Sequence, residues 1–244
     1  MIRVTGHRGA AGLEPENTLR SIRKAIELGV DQVEVDVHLT KDGEIVVIHD
    51  DTVDRTTNGH GYVREFTFKE LRKLDAGKGE YIPTLREVLN LTMGRVILQV
   101  ELKGEGTAEP VVRLIEEMGA ENWVVVTSFH PERLKRVHEL DPAISTGLLV
   151  FKPENDPWQK ALEVGAKALH INFRHVDRRI VEEAHQRGLR VCVWNPDTEE
   201  DMVKMVELGV DAIGSNRPDI LVSLLKRRRA ELLSGKSLTL SKRR

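Results

Sequence analysis

Residues 168–194 read ALHINFRHVDRRIVEEAHQRGLRVCVW, and this stretch contains two short apolar runs with a helical pattern between them. Asp177 stands where a helix would be capped at its start, and Gly188 follows the last periodic residue of that helix. Two apolar runs joined by a helix are typical of a parallel βαβ unit, because parallel neighbours need a long crossover. The stretch therefore predicts one repeat of an α/β fold.

The same alternation of apolar run and helical pattern recurs along the chain. We count eight such units, which predicts an α/β protein of the (β/α)₈ TIM-barrel class. A length of 244 residues fits one barrel domain spanning residues 1–244. The predicted strands are residues 3–6, 33–37, 96–102, 123–127, 144–150, 168–172, 190–194 and 212–215. The predicted helix starts are Asn17, Thr84, Pro131, Asp177, Thr198 and Pro218.

A ninth apolar run, at residues 45–48, does not fit the repeat. The segment HLTKDGE separates it from the second strand and is too short for a crossover helix, whereas its Asp-Gly pair suits a tight antiparallel hairpin. We therefore predict a small insertion after strand two, from residue 38 to about 83, that caps the barrel mouth. The tail from about 234 to 244 lacks a core pattern and is predicted to be frayed.

Composition narrows the functional class. The formal net charge of -2 gives no general attraction for nucleic acid or an anionic membrane, so no nucleic-acid partner is expected. The single cysteine, Cys192, excludes an internal disulfide. No apolar run approaches the roughly 18 residues of a transmembrane helix. The start MIRVTGHRGA lacks the pattern of a secretory signal, and we expect a cytoplasmic protein.

Inward-facing carboxylates are predicted near the ends of two neighbouring strands. The strand period of two places Glu34 and Asp36 of VEVDV on one face, and Glu101 and Lys103 of QVELK on one face. Three dry carboxylates would repel one another, and a divalent cation would compensate them. Oxygen ligands without a Cys or His cluster favour magnesium, calcium or manganese over zinc. The alternative is that these acids pair with lysines or arginines of the barrel.

Two histidines are candidates for proton transfer. The first strand ends in GHRGA, which places His7 and Arg8 at the carboxyl end of the barrel, where TIM-barrel active sites lie. A guanidinium matches phosphate oxygens as a bidentate fork. If the hairpin folds over the mouth, His49 comes to face His7, and the two can serve as general acid and base. The other seven histidines carry no comparable motif, and we expect most of them at the surface or in packing roles.

An ordered set of motifs resembles the glycerophosphodiester phosphodiesterase family over nearly the whole chain. The motifs are GHRG, PENT, VEVDV, VIHDDTVDRTTNG, IPTLREVL, VELK, TSF and VWN. The resemblance implies a barrel of the PI-PLC-like phosphodiesterase superfamily that hydrolyses glycerophosphodiesters to an alcohol and sn-glycerol 3-phosphate. The implied cofactor is one divalent cation, magnesium or calcium, with manganese as a further option.

The resemblance also implies roles for particular residues around the phosphate. They are a histidine pair as general acid and base, three acidic metal ligands, and two cations that bind phosphate. The implied acid and base pair is His7 and His49, and the implied metal ligands are Glu34, Asp36 and Glu101. The implied phosphate-binding cations are Arg8 and Lys103.

Four further positions follow from the same comparison of motifs. Glu16, in PENT, is expected to support the corner formed by GHRG, and Trp194 is expected beside the glycerol of the substrate. Phe129, in TSF, is a further candidate for lining the pocket. Near the last strand many members of the family have Thr-Asp, whereas this chain has Ser215 and Asn216, so the resemblance assigns no role there.

Some alternatives stay open at this level. A lysophospholipase D or a cyclising phospholipase D could use the same metal and histidines, and the attacking group could be water or the glycerol 2-hydroxyl. A further alternative, which is not an enzyme, is a barrel that binds phosphate metabolites or a protein partner without catalysis. Hydrolysis assays with several divalent metals distinguish it from an enzyme.

Overall fold

Strands and helices alternate along the computed structural model, which describes residues 2–153 and 156–233. The strands are β1 (Arg3–Gly6), β2 (Gln32–Leu39), β3 (Ile45–Val47), β4 (Ile97–Leu102), β5 (Val124–Ser128), β6 (Ser145–Val150), β7 (Ala168–Asn172), β8 (Arg190–Trp194) and β9 (Ala212–Ser215). The helices are α1 (Leu19–Leu28), α2 (Phe68–Leu71), α3 (Leu85–Thr92), α4 (Ala108–Met118), α5 (Pro131–Leu140), α6 (Pro157–Glu163), α7 (Arg178–Gln186), α8 (Glu199–Leu208) and α9 (Pro218–Leu233). The tail predicted to fray, from about 234, lies outside the described residues.

Eight parallel strands close into a barrel, which confirms the predicted TIM-barrel class. The ring runs β1, β2, β4, β5, β6, β7, β8, β9, and β1 closes it by pairing with both β2 and β9. The apolar residues of β2, which are Val33, Val35 and Val37, lie in the main core. Their side chains alternate with the acidic ones, as the strand period requires. Every helix in the described residues is too short or too polar to cross a bilayer.

The run at residues 45–48 forms the hairpin expected from its spacing. β3 pairs antiparallel with the end of β2, with Val37 opposite Val47. The residues that follow build a second apolar cluster, separate from the main core, around Val46, Ile48, Val53, Val63, Leu71, Ala76 and Ile82. Because this insertion has its own core, it can hold His49 at the barrel mouth without contributing a barrel strand.

Shortening a side chain in this second core is expected to lower activity without unfolding the barrel. Leu71 is fully buried there, and Leu71→Ala should cost about 2–5 kcal/mol within the insertion. We expect a large loss of activity with the main thermal transition preserved. Leu134→Ala, at an equally buried position of the main core, should lower that main transition instead. Loss of the whole fold in Leu71→Ala, measured by circular dichroism, would contradict independent packing of the insertion.

Two local predictions were wrong in informative ways. Trp123 was predicted to begin a strand, but it ends the 3₁₀ turn Glu121–Trp123, and β5 starts one residue later. Asn17 was predicted to cap the first helix, but the cap is Thr18, whose side chain accepts a hydrogen bond from the Ser21 backbone N–H. Asn17 has a φ of 57°, and its side chain is used elsewhere.

Candidate active site

A cavity of about 190 Å³ lies among the carboxyl ends of the barrel strands. Eight of the ten predicted site residues line it, namely His7, Arg8, Glu34, His49, Glu101, Lys103, Phe129 and Trp194. The other two, Glu16 and Asp36, contact Arg8. The fold therefore brings together residues that are almost 190 positions apart in the chain.

Three buried carboxylates cluster beside this cavity, and two of them, Glu34 and Glu101, line it. The register of β2 and β4 pairs Asp36 with Glu101, so that their side chains leave neighbouring strands at the same level. One oxygen from each of Glu34, Asp36 and Glu101 lies within 4.8 Å of the others. The three residues are only 4%, 0% and 8% exposed. Among the described residues, Oε1 of Glu34 and Oδ1 of Asp36 have no hydrogen-bond partner.

Burial and mutual repulsion make it unfavourable to ionise Glu34 and Glu101 in this cluster. Burial raises the pKa of Glu34 well above its usual range, and the charges of Asp36 and Glu101 raise it further. Burial and then Asp36 likewise raise the pKa of Glu101. Two cations reach the cluster, with Arg8 Nε 3.2 Å from Asp36 Oδ2 and Lys103 Nζ 3.4 Å from Glu101 Oε1. Neither cation forms a hydrogen bond to Glu34 Oε1 or Asp36 Oδ1.

The loop after β1 fixes Arg8 against this cluster. The backbone N–H of Arg8 donates to Glu34 Oε2 at 2.9 Å, and its guanidinium Nη1 donates to Glu16 Oε1 at 2.8 Å. Arg8 has a φ of 50°, a left-handed conformation that a non-glycine residue adopts at a cost. These hydrogen bonds join the Arg8 backbone to Glu34 and its guanidinium to Glu16.

Asn17 holds one member of the acidic cluster. Its side-chain Nδ2 donates to Asp36 Oδ2 at 2.9 Å, and its Oδ1 faces the Asp36 backbone N–H at 3.4 Å. Sequence reasoning missed this role because asparagine before a helix is a common cap. The available clue was its place in PENT, next to Glu16.

The protonation of His49 follows from its two neighbours. Nδ1 lies 2.5 Å from Asp50 Oδ1, and Nε2 lies 3.1 Å from Lys103 Nζ. A carboxylate only accepts hydrogen bonds and an ammonium only donates them. His49 therefore carries its proton on Nδ1 and presents the lone pair of Nε2 toward the cavity. His38 also contacts His49, because its Nε2 lies 3.1 Å from the His49 carbonyl oxygen.

A chain of ion pairs joins the insertion to the barrel. Arg55 contacts Asp50 with Nε at 2.7 Å and Glu16 with both terminal nitrogens at 2.8 Å. Burial acts to raise the pKa of Glu16, but Arg55 and Arg8 outweigh it and lower the pKa to about 2. Hydrogen bonds from Arg55 hold the pKa of Asp50 well below its usual range. The carboxylate behind His49 is thereby kept ionised and in place.

His7 is oriented by a residue of the last strand turn. Its Nδ1 lies 2.8 Å from Asn216 Oδ1, while Asn216 Nδ2 donates to Asp197 Oδ2 at 2.7 Å. Because Asp197 can only accept, the amide orientation of Asn216 is fixed, and His7 carries its proton on Nδ1. Nε2 of His7 then faces the cavity, 3.3 Å from Asn195 Nδ2. Burial, followed by the charge of Arg8, lowers the pKa of His7 to about 4.

Comparison with known proteins agrees with this geometry. The sequence model of the glycerophosphoryl diester phosphodiesterase family matches residues 7–220. The chain belongs to this family. It is 39% identical over 237 residues to a glycerophosphodiester phosphodiesterase of Caldanaerobacter subterraneus subsp. tengcongensis, an alignment that covers 92% of this chain and 98% of that protein. It is also 34% identical to a glycerophosphodiester phosphodiesterase of Bacillus altitudinis, with 92% and 98% covered.

The chain is also similar to a solved phosphodiesterase structure. A phosphodiesterase from Oleispira antarctica, in complex with the product sn-glycerol-3-phosphate, superposes with a TM-score of 0.86 at 31% identity. The match covers 92% of this chain and 96% of that one. The family, the barrel and the enzyme class expected from the motifs are thus confirmed.

The structure also shows what replaces the Thr-Asp of many glycerophosphodiester phosphodiesterases. Ser215 Oγ and the Asn216 backbone N–H both donate to Asp197 Oδ1 at 2.8 Å. Asp197 therefore organises the turn, and the neutral amide of Asn216 meets His7. Sequence analysis assigned no role here because Ser215 and Asn216 depart from the family's Thr-Asp, and Asn216 is 209 residues from His7 in the chain.

His170 is a further residue of the phosphodiesterase barrel that sequence analysis missed. It is buried and lines the cavity, whereas it was grouped with histidines of no particular role. Burial, then the charge of Arg190, lowers its pKa to about 4, so the ring is neutral near neutral pH. The strand period in ALHIN, which puts Ala168, His170 and Asn172 on one face, was the available clue.

Removing the amide that orients His7 tests that contact in this phosphodiesterase. Asn216→Leu removes the acceptor of the Nδ1 proton, and we expect kcat to fall by about 10- to 100-fold. Because the hydrogen bond from Nδ1 raises the pKa of His7, its loss should lower that pKa below about 4. Nitrogen NMR of the ring should show the Nδ1-protonated form giving way to a mixture. An unchanged tautomer and kcat would contradict the orienting role.

Proposed function

We propose that this chain hydrolyses glycerophosphodiesters to an alcohol and sn-glycerol 3-phosphate. In this proposal Glu34, Asp36 and Glu101 bind one divalent cation, and His7 and His49 transfer protons. The observation that carries it is the convergence of three buried carboxylates and two histidine rings on one cavity. Membership of the phosphodiesterase family supports the same reaction.

The acidic cluster fits a metal on two grounds. Two of its buried oxygens, Glu34 Oε1 and Asp36 Oδ1, have no hydrogen-bond partner among the described residues, although buried carboxylates normally find one. The donors are all carboxylate oxygens, which suit magnesium, calcium or manganese. When bound, such an ion would polarise the phosphoryl group and neutralise charge that develops on its oxygens.

The phosphate would lie against cations of the first and fourth strands. Lys103 is placed between Glu101 and His49, where its ammonium can donate to a non-bridging phosphate oxygen. Arg8, fixed by Glu16 and Glu34, adds positive charge on the opposite side. Positive charge held in place before the reaction stabilises the more negative transition state without reorganisation.

Acid and base catalysis requires the two histidines to start in opposite protonation states, with a proton on the cavity-facing Nε2 of the acid only. Both present Nε2 to the cavity and keep Nδ1–H on a fixed acceptor, Asp50 for His49 and Asn216 for His7. One ring takes a proton from the attacking group, and the other gives a proton to the leaving oxygen. The lowered pKa of His7 suits the ring that takes a proton, and His49, whose Nδ1 faces the ionised Asp50 carboxylate, is assigned to give one.

The product proposed here matches a ligand seen in a relative. The similar Oleispira antarctica phosphodiesterase was solved in complex with the product sn-glycerol-3-phosphate. This supports glycerol phosphate, rather than the alcohol alone, as the part of the substrate that the shared fold recognises.

One assay panel tests the proposal and the metal together. Purified protein is stripped of metal and assayed on glycerophosphocholine, glycerophosphoethanolamine and glycerophosphoglycerol with magnesium, calcium or manganese added separately. We expect enzymatic detection of sn-glycerol 3-phosphate with at least one metal and none after chelation. Absence of product with every metal would favour a barrel that binds phosphate without catalysis. Product formation that chelation leaves unchanged would remove the metal from the mechanism.

A further inference from the structure

A second cavity lies at the opposite end of the barrel from the catalytic one, and we call it the amino-end cavity. Its volume is about 200 Å³. The first residues of five strands line it, namely Arg3, Gln32, Ala168, Arg190 and Ala212. Branched apolar side chains normally fill the interior of a (β/α)₈ barrel, whereas each of the two alanines here contributes only a methyl group. One water needs only about 10–15 Å³, so the cavity has room for a small polyatomic ion.

Two arginines line the amino-end cavity without a partner. Arg3 shares its strand face with Thr5, and Arg190 shares its strand face with Cys192. Thr5 and Cys192 line the catalytic cavity, so all four side chains point into the barrel. In the part of the chain that the structure describes, neither guanidinium forms an ion pair or a side-chain hydrogen bond. Both are therefore free to donate to the oxygens of a bound anion.

The inner wall of the amino-end cavity contains a buried histidine without a hydrogen-bond partner. Gln99, His170 and Cys192 line both this cavity and the catalytic one, so they lie between the two. His170 is only 6% exposed, and its ring forms no hydrogen bond with the residues that the structure describes. Buried polar groups normally have a partner. A neutral imidazole carries one N–H donor, and an oxyanion beside it would supply the acceptor.

The charges around the amino-end cavity favour an anion over a cation. Asp211 supplies the only carboxylate among the residues that line it. Its Oδ2 accepts a hydrogen bond from the Val191 backbone N–H at 2.7 Å and lies 2.8 Å from His185 Nε2. That carboxylate therefore has partners of its own, whereas the guanidiniums of Arg3 and Arg190 have none among the described residues. Two positive charges against one negative charge attract an anion to the cavity.

We propose that the amino-end cavity is a second anion-binding site, which holds a small oxyanion such as inorganic phosphate between Arg3 and Arg190. Each guanidinium can offer two N–H groups to a pair of oxygens of the anion. The site uses neither the acidic cluster nor Arg8 and Lys103, so it is independent of the proposed hydrolysis. Because only the folded barrel brings the starts of β1 and β8 to one cavity, a bound anion stabilises the fold.

Phosphate binding to a protein with a disabled catalytic cavity tests the site. The Lys103→Met variant, treated with a chelator, lacks both the ammonium and any cation that would hold phosphate in the catalytic cavity. Calorimetry with inorganic phosphate at constant ionic strength should then show one site per chain. Adding Arg190→Gln should weaken that binding by about tenfold or more, because a charge-assisted hydrogen bond is lost. Adding Arg95→Gln instead should leave it unchanged, since exposed Arg95 precedes β4 at the same end of the barrel without lining the cavity.

The proposal is overturned if phosphate does not bind, if Arg190→Gln leaves its binding unchanged, or if Arg95→Gln weakens it equally. Arg3→Gln, at an exposed position, should give the same loss as Arg190→Gln, and it takes the place of that variant if circular dichroism shows that Arg190→Gln unfolds. A selenate soak of wild-type crystals locates the anion directly. Anomalous density should lie between Arg3 and Arg190, and density in the catalytic cavity alone would contradict the site. Since no turnover is measured, failure of the proposed hydrolysis would leave this test valid.

Discussion

Glu101→Gln is expected to lower hydrolysis by on the order of 10³-fold or more at ordinary metal concentrations. Glutamine keeps the size of the side chain but removes one of three charged ligands, and a bound metal contributes several kcal/mol to such reactions. Steady-state rates across a metal titration should show that the variant needs far more metal than the wild type, or fails at any concentration. Glu105→Gln, an exposed acid in the next loop, is the matched control and should behave as the wild type.

The stability of the metal-free variant distinguishes a metal site from structural ion pairing. Burial and Asp36 raise the pKa of Glu101, so the folded state binds its proton more tightly than the unfolded state does. The ionised carboxylate therefore lowers stability as the pH rises above the ordinary glutamate range. Glutamine removes that loss, and the metal-free variant should melt at the same or a higher temperature at mildly alkaline pH. A fall comparable to a core truncation would instead support pairing with Lys103, and ordinary metal dependence would remove Glu101 from the site.

Replacing the general acid should matter only when the leaving group needs a proton. The alkoxide that leaves glycerophosphocholine is poor and requires protonation, whereas nitrophenolate departs without it. We expect alanine at the acid to cost on the order of 10²- to 10⁴-fold with glycerophosphocholine and much less with a nitrophenyl phosphodiester. The carboxylate of Asp50 behind His49 makes His49→Ala the variant with this selective loss. His7→Ala should lower both rates.

If His7→Ala instead showed the selective loss, His7 would be the acid and His49 the base, and the proposed reaction would stay the same. Equal losses on both substrates in both variants would show that neither histidine is a dedicated acid. In that case one or both rings serve the metal or the phosphate. Binding of inorganic phosphate by each variant, measured by calorimetry, separates that outcome from a loss of proton transfer.

The parts of the fold that sequence could predict are those set by local periodicity. Alternation in VEVDV placed Glu34 and Asp36 on the inner face, and the length of the gap before residue 45 excluded a ninth parallel strand. Both inferences need only neighbouring residues. Boundaries were less certain, as at Trp123, because an aromatic residue suits a strand start and a 3₁₀ turn equally well.

The parts that sequence could not predict depend on contacts across the barrel. Nothing near Asn216 in the chain indicates that it meets His7, and nothing near Asn17 indicates that it holds Asp36 rather than a helix end. His170 looks like any buried histidine until the ring of strands is closed. Motif resemblance identified the residues expected to do the chemistry, whereas the residues that orient them became visible only in three dimensions.

The position of the proposed catalytic residues along the chain has a consequence for recombination between relatives. All residues proposed for metal, phosphate and proton transfer come from positions 7–103, while Phe129 and Trp194, which also line the cavity, come after β5 and from β8. Exchanging the segment from β5 through β8 for that of another family member should transplant substrate preference and leave the reaction unchanged. The last strand turn must stay with the first half, because Asn216 orients His7. Natural diversification of such barrels can proceed by the same exchange, with new alcohols accommodated by a segment that contains none of the proposed metal ligands.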